Sequence, residues 1–233
     1  MIYKDFSGIL FNREKKIIID WSFESACTII VKMFFDMNNQ TIDPNVWIHD
    51  ERERYVREKG YVKLSNLLDP RPVKIKFVRN PYSRAVSSYI HFSRYLSNKL
   101  DEKYHNISFL EFCQNLKNNN ISPNNHWIYQ KLYVERFFNF FNEIVKIEYL
   151  SDEIERINRV YSLNFNCDFT SDHFVKKNND TEFVGNLKYS QIADKIPKYR
   201  YFYNNEIQSL VRNIYLDDIQ SYNYSFDEFL KFN

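Results

Sequence analysis

Arg79 and Ser87 are the residues whose types and spacing most directly suggest chemistry. They frame the run Arg79-Asn80-Pro81-Tyr82-Ser83-Arg84-Ala85-Val86-Ser87-Ser88-Tyr89. The residues before it, Val73, Ile75, Phe77 and Val78, are apolar and partly β-branched, which predicts a buried strand. Asn80-Pro81 marks a turn, and Pro81 suits the first position of a helix, where no N–H is needed. Arg79 is therefore expected at the C-terminal end of a strand and Ser87 two turns into the helix that follows. In an open α/β sheet, ligands bind at that end of the strands. A guanidinium fork and a hydroxyl brought together there could grip a phosphate. The plain alternative is an Arg capping a turn and a Ser on an ordinary helix.

A second segment has the same build. Lys16-Ile17-Ile18-Ile19-Asp20-Trp21 predicts a buried strand, Ser22-Phe23-Glu24-Ser25-Ala26-Cys27 a loop of mostly small residues, and Thr28-Ile29-Ile30-Val31-Lys32-Met33-Phe34-Phe35 the start of an apolar helix. The N–H groups of a first helical turn are unpaired within the helix, and its dipole favours negative charge there. Strand, short loop and helix thus form a candidate anion cradle. The chain has only three Gly (Gly8, Gly60 and Gly185), so a Gly-rich phosphate loop is excluded, as is the Gly-Lys-Ser/Thr of a nucleotide kinase.

These residues resemble the PAPS-dependent sulfotransferases, in the carbohydrate sulfotransferase-like branch (sulfotransferase family 2). Ser25-Ala26-Cys27-Thr28 is similar to the core of that family's 5′-phosphosulfate loop, and Arg79 through Tyr89 to its 3′-phosphate motif. His126-Trp127-Ile128-Tyr129-Gln130 resembles a His-Trp-x-x-Gln segment of the same branch. Val145-Lys146-Ile147-Glu148-Tyr149-Leu150 resembles a later strand ending in Glu, and Tyr215-Leu216-Asp217-Asp218-Ile219 with Tyr222-Asn223-Tyr224 resembles the closing helix and tail. The resemblance implies transfer of a sulfuryl group from 3′-phosphoadenosine 5′-phosphosulfate (PAPS) to an acceptor hydroxyl, on a carbohydrate, with adenosine 3′,5′-bisphosphate (PAP) as product and no metal. It further implies that Ser22, Ser25, Ala26, Cys27 and Thr28 hold the 5′-phosphosulfate and that Arg79 and Ser87 hold the 3′-phosphate. Arg84 would brace the motif. The guanidinium of residue 79 must then lie near the turn before Thr28.

The loop departs from the family at one point. Relatives carry Pro-Lys where this chain has Phe23-Glu24, and that Lys contacts the bridging oxygen of the leaving phosphate. A carboxylate about 4 Å from a phosphosulfate would repel it by several kcal/mol at intermediate dielectric. Three readings stay open. Another cation takes over, with Lys32, Lys74 or Lys76 as candidates; Glu24 points to the acceptor as the base; or the chain is a non-catalytic PAP- or PAPS-binding or interaction protein on the same scaffold. The acceptor must lose a proton as it attacks, and His126 is the first candidate base, Glu24 the second. His91 could also face the cleft, or else be a solvent-facing helix residue. Trp127 is either a sugar platform or a packed core residue. His49, His105 and His173 carry no spacing signal.

A length of 233 residues with 21 Phe and 18 Tyr predicts a single domain over 1–233 with an aromatic-rich core. The net charge of +2 argues against a general nucleic-acid binder. The mixed run Glu51-Arg52-Glu53-Arg54 with Arg57, Glu58 and Lys59 predicts a solvated helix face or a rim for an anionic glycan. Lys176 and Lys177 sit in a polar stretch where relatives close a loop over the nucleotide. Cys27, Cys113 and Cys167 give no disulfide framework, and no metal-ligand cluster stands out. Cys27 is expected to pack rather than act as a nucleophile. The absence of a signal-like or spanning run predicts a cytoplasmic location. Tyr133 to Phe141 is expected to be core helix, Glu143 to Tyr149 a third strand, and Ser151 a helix N-cap. The fold expected is α/β: a P-loop-like three-layer α/β/α domain with a central, mainly parallel sheet.

Overall fold

The structure is a computed structural model and describes residues 6, 8–43, 45–166 and 182–233. Its strands are β1 (Leu10–Asn12), β2 (Ile17–Trp21), β3 (Val73–Val78) and β4 (Glu143–Lys146). Its α-helices are α1 (Cys27–Met37), α2 (Ile48–Lys59), α3 (Leu64–Leu68), α4 (Pro81–His91), α5 (Phe109–Lys117), α6 (Leu150–Tyr161), α7 (Tyr189–Ile192), α8 (Asn205–Ile214), α9 (Leu216–Ser221) and α10 (Phe226–Phe232). Two compact units divide the chain: a sheet unit (Tyr3–Arg79 and Leu132–Asp172) and a helical unit (Asn80–Lys131 and His173–Asn233, with Met1–Ile2).

The sheet runs in the order β1-β2-β3-β4. β1 pairs antiparallel with β2, while β2–β3 and β3–β4 are parallel. The alternation of strand residues decides what each face buries. Ile17, Ile19 and Trp21 of β2, Ile75 and Phe77 of β3 and Val145 of β4 pack with Ile30, Val31, Phe34, Ile48, Val56, Ile154 and Ile157. Helices α1, α2 and α6 therefore cover one face. Ile18 points the other way, into a cluster with Val62, Leu67, Leu132, Phe140 and Phe141, so α3 and the segment after residue 131 cover the second face. This is the three-layer α/β/α architecture that the alternation of strands and helices predicts.

The second face also buries charge. Lys76 is fully buried and pairs with Asp20 at 3.1 Å, its register partner across β2–β3, and with Glu135. Burial works to lower the Lys76 pKa, but the two carboxylates outweigh it and hold the ammonium above its usual value. Such a triad is costly to break, because removal of one partner strands the others without water.

Three local expectations need correction. The strand expected over Glu143 to Tyr149 ends at Lys146 and passes into a 3₁₀ turn at Ile147–Tyr149. Helix α6 starts at Leu150, so Ser151 lies inside it and does not cap it. Tyr133 to Phe141 is not a core helix: a 3₁₀ turn (Tyr133–Arg136) leaves Tyr133, Phe137 and Phe138 exposed, and only Phe140 and Phe141 are buried.

The helical unit has its own aromatic core. Tyr82, Ala85, Val86 and Tyr89 of α4 pack with Phe92, Phe109, Phe112, Trp127, Phe202, Ile207, Val211 and Phe229. Edge-to-face contacts recur there, as between Phe92 and Trp127 and between Phe109 and Phe202. Asn80 caps α4 by accepting the Tyr82 N–H, with Pro81 in the first turn. No helix among the described residues is long and apolar enough to cross a membrane.

Candidate functional site

Two loops carry the residues singled out from the sequence, one in each unit. In the sheet unit, β2 and β3 run parallel with Trp21 opposite Phe77, so the residues after both strands emerge at the same end of the sheet. Ser22 to Ala26 turn there into α1. The turn is tight: the Ser25 N–H bonds the Ser22 carbonyl at 3.2 Å, and Glu24 and Ala26 take left-handed backbone, with φ of 64° and 57°. Non-glycine residues pay roughly 1–2 kcal/mol each for that conformation. Ala26 is the N-cap of α1, and its carbonyl accepts the first helical bond, from Ile30. Ser22, Ser25 and Thr28 are buried within this turn. Turns with left-handed residues before a helix start are a setting in which backbone N–H groups can form an anion nest.

Arg79 closes β3 and reaches this turn directly. Its Nη1 donates to the Glu24 carbonyl at 2.7 Å. The guanidinium is thus beside the turn before Thr28, fixed to the backbone of the strained residue, and half-buried. Cys27 opens α1, and its Sγ lies 3.7 Å from the His49 ring, an association that sequence spacing did not signal. Burial, and after it the charge of Glu24, pushes the Cys27 thiol up to about 11 against the opposing effects of Thr28 and Arg52. A thiol held in that form is a packing residue at neutral pH rather than a nucleophile.

Two of the cations considered as a substitute for the loop lysine are elsewhere. Lys76 is buried in its triad with Asp20 and Glu135. Lys74 sits near the start of β3, the end remote from Arg79, and its Nζ bonds the Pro72 carbonyl at 3.0 Å. Lys32 lies one turn beyond Thr28 on α1 and is half-buried. The charged run on α2 is also not a plain solvated face, since Glu51 and Arg52 are both buried. The signal was present in the sequence: Ile48, Arg52 and Val56 recur at four-residue spacing, so Arg52 occupies the apolar stripe of its helix.

In the helical unit, Ser87 lies on α4 and is half-buried. Arg84 braces rather than reaching outward: fully buried, it donates to the Ile128 carbonyl at 2.8 Å and, more loosely, to the Asn125 and His126 carbonyls. Ser88 Oγ donates to the His126 carbonyl at 2.5 Å. The His126 ring stacks on His91, with centroids 3.7 Å apart and planes at 16°. Both His91 and His126 are half-buried, so His91 is not a solvent-facing helix residue. Trp127 is buried in the aromatic core with its indole N–H on the Ser122 carbonyl, which makes it a packing residue and not a sugar platform. Gln130 and Lys131 donate their backbone N–H groups to the buried Asp218 carboxylate, which ties the His-Trp segment to α9. Lys176, Lys177, His173 and Cys167 lie outside the described residues.

Comparison with curated proteins and with solved structures gives no match. The sequence model of the Sulfotransferase family, by contrast, matches residues 7–225, from before β1 to the end of the tail after α9. With the strand–loop–helix cradle and the strand–Arg–helix motif falling inside that span, the chain belongs to the Sulfotransferase family, whose activity in general is sulfuryl transfer.

Proposed function

We propose that the chain, working as one domain over 1–233, transfers a sulfuryl group from PAPS to an acceptor hydroxyl on a carbohydrate. The observation that carries this reading is the Arg79 guanidinium bonded to the turn of the anion nest. A donor with phosphate at both its 3′ and 5′ positions needs two cationic or N–H-rich sites, and the closeness of Arg79 to the turn before α1 supports that reading. Left-handed backbone at Glu24 and Ala26 and the hydroxyl residues Ser22, Ser25 and Thr28 beside it support this reading of a loop without glycine.

In this reading the N–H groups and hydroxyls of Ser22, Ser25, Ala26, Cys27 and Thr28 hold the 5′-phosphosulfate. Arg79 and Ser87 hold the 3′-phosphate, which distinguishes the donor from ATP. The donor supplies an activated sulfuryl group with a phosphate as leaving group. His126 accepts the acceptor's proton, and its ring is held for that task by the His91 stack while Arg84 and Ser88 hold its backbone. Glu24 is the second candidate for the base. The presence of that carboxylate in the loop also favours one rival, a protein that binds PAP or PAPS without turnover.

Titration calorimetry with adenosine 3′,5′-bisphosphate tests binding. The expected result is saturable binding without Mg²⁺, with ATP at least tenfold weaker; equal affinity for ATP overturns the reading. Transfer of label from ³⁵S-PAPS to a panel of polysaccharides then separates the enzyme from the non-catalytic rival, which binds and transfers nothing.

A further inference from the structure

Sulfuryl transfer builds charge on its leaving group. The bond from the acceptor oxygen to sulfur forms, the bond from sulfur to the 5′-phosphate oxygen breaks, and the electron pair of that bond stays on the phosphate. The acceptor's proton goes to a base. A site for this reaction gains most from a cation placed where the phosphate charge grows. This loop offers a carboxylate instead, at Glu24.

Besides Arg79, a second cation arrives from outside the loop and outside its sequence neighbourhood. Arg52 of α2 places its guanidinium carbon 5.9 Å from the ring centroid of Phe23, the residue before Glu24, within the range of a cation–π contact. Its charge is also felt at Cys27, the first residue of α1, in opposition to that of Glu24. The guanidinium is therefore flanked by residues on both sides of the left-handed turn. Its position is held by the packing of α2 on α1: Tyr55 makes edge contacts with Phe34 and Phe35, with ring centroids 5.2 and 5.8 Å apart. Ile48 and Val56, one turn to either side of Arg52, are in the same core cluster.

The environment of Arg52 is unusual for a structural arginine. Its side chain is 9% exposed, yet it pairs at 3.1 Å with Glu53, whose side chain is 63% exposed. An exposed carboxylate is a weak, screened partner for a desolvated guanidinium. A ligand phosphate, with more charge and several acceptor oxygens, is a stronger one and fits a planar fork.

We infer that Arg52 is a catalytic residue of this chain: it binds the 5′ side of the donor and takes up the charge that develops on the departing phosphate oxygen, a role that the loop, with Glu24 in place of a cation, does not fill. The inference rests on the sulfotransferase reading above and names the cation that completes it.

The test compares Arg52→Ala, Arg52→Lys and the double variant Arg52→Ala with Glu24→Lys. Calorimetry with adenosine 3′,5′-bisphosphate and with adenosine 3′-monophosphate isolates the contribution of the 5′-phosphate without need of an acceptor. Arg52→Ala should reduce the preference for the bisphosphate by about 10- to 100-fold while leaving the 3′-monophosphate affinity unchanged. Turnover at saturating PAPS should fall by about 10²- to 10³-fold. Arg52→Lys should recover part of both, and the added lysine in the double variant should recover at least tenfold in rate. The unfolding midpoint of each variant distinguishes a binding loss from a folding loss, and Arg52→Gln carries the test if Arg52→Ala does not fold. An unchanged bisphosphate preference in Arg52→Ala or Arg52→Gln overturns the inference alone. Failure of the wild-type chain to bind the bisphosphate at all overturns the sulfotransferase reading and the inference with it.

Discussion

The turn between β2 and α1 and the segment around His126 are built by opposite means. The first follows the local run of the backbone: a buried strand, a five-residue turn with two left-handed residues, and a helix start, with a long-range bond from Arg79 to the Glu24 carbonyl. The second is an irregular segment whose position is set by side chains from elsewhere, namely Arg84, Ser88 and His91 of α4 and Asp218 of α9. An anion site can be read from a local chain pattern because N–H groups follow the backbone. The placement of a base cannot, because it depends on which helix comes to lie beside it.

The comparison can be broken from either side. The largest effect is expected at the frame of the sheet unit. Lys76→Met leaves Asp20 and Glu135 buried without their cation and should lower stability by about 3–5 kcal/mol in urea unfolding. A loss below 1 kcal/mol would mean that the triad does not hold the sheet. At the second site, His126→Ala should lower turnover by about 10²- to 10⁴-fold with bisphosphate affinity unchanged, and His91→Ala by less. A wild-type rate in His126→Ala removes it as the base and leaves Glu24→Gln as the next variant to assay. At the turn before α1, Arg79→Ala should weaken bisphosphate binding by about 10- to 100-fold, with the unfolding midpoint of the variant separating a binding loss from a folding loss.

A pH scan sharpens the same contrast. Glu143 of β4 has its carboxyl held below its ordinary value of 4.5: burial raises it, but hydrogen bonds from Arg156 and Tyr161 outweigh that. A carboxyl depressed in the folded state contributes stability above about pH 4.5, and that contribution is lost as pH falls through the lower folded value. Arg156→Ala should therefore lower stability at neutral pH and make its fall below about pH 4.5 shallower; an unchanged slope would place the acid sensitivity elsewhere. The smallest effect is expected at Ala26. With φ at 57°, Ala26→Gly should relieve strain and raise stability by at most about 1 kcal/mol, measured by the same urea unfolding. Destabilisation would show that the turn is not strained there.

Much of the first site was legible before any coordinates. Asn80-Pro81 after an apolar run fixed the strand-to-helix turn, and the small residues between Trp21 and Thr28 marked the loop, because turn chemistry and hydrophobic period are local. The same locality explains the errors. Tyr133 to Phe141 carries aromatic residues at helical spacing, yet spacing alone does not say whether a partner surface exists, and three of those rings are exposed. Lys76 looked available for a phosphate because its type and strand were visible while its partners, Asp20 and Glu135, were not.

The chain on its own determined the order of strands, loops and helices, the small-residue turn before α1 and the placing of Arg79 at a strand tip. All three follow from residue patterns within a dozen positions. Only the tertiary structure decided that Lys76 is consumed by two carboxylates, that His126 is stacked on His91, and that Arg52 reaches the loop from α2. Those outcomes depend on how the close packing of one element on another carries a side chain across many residues of sequence, and no local pattern encodes that distance.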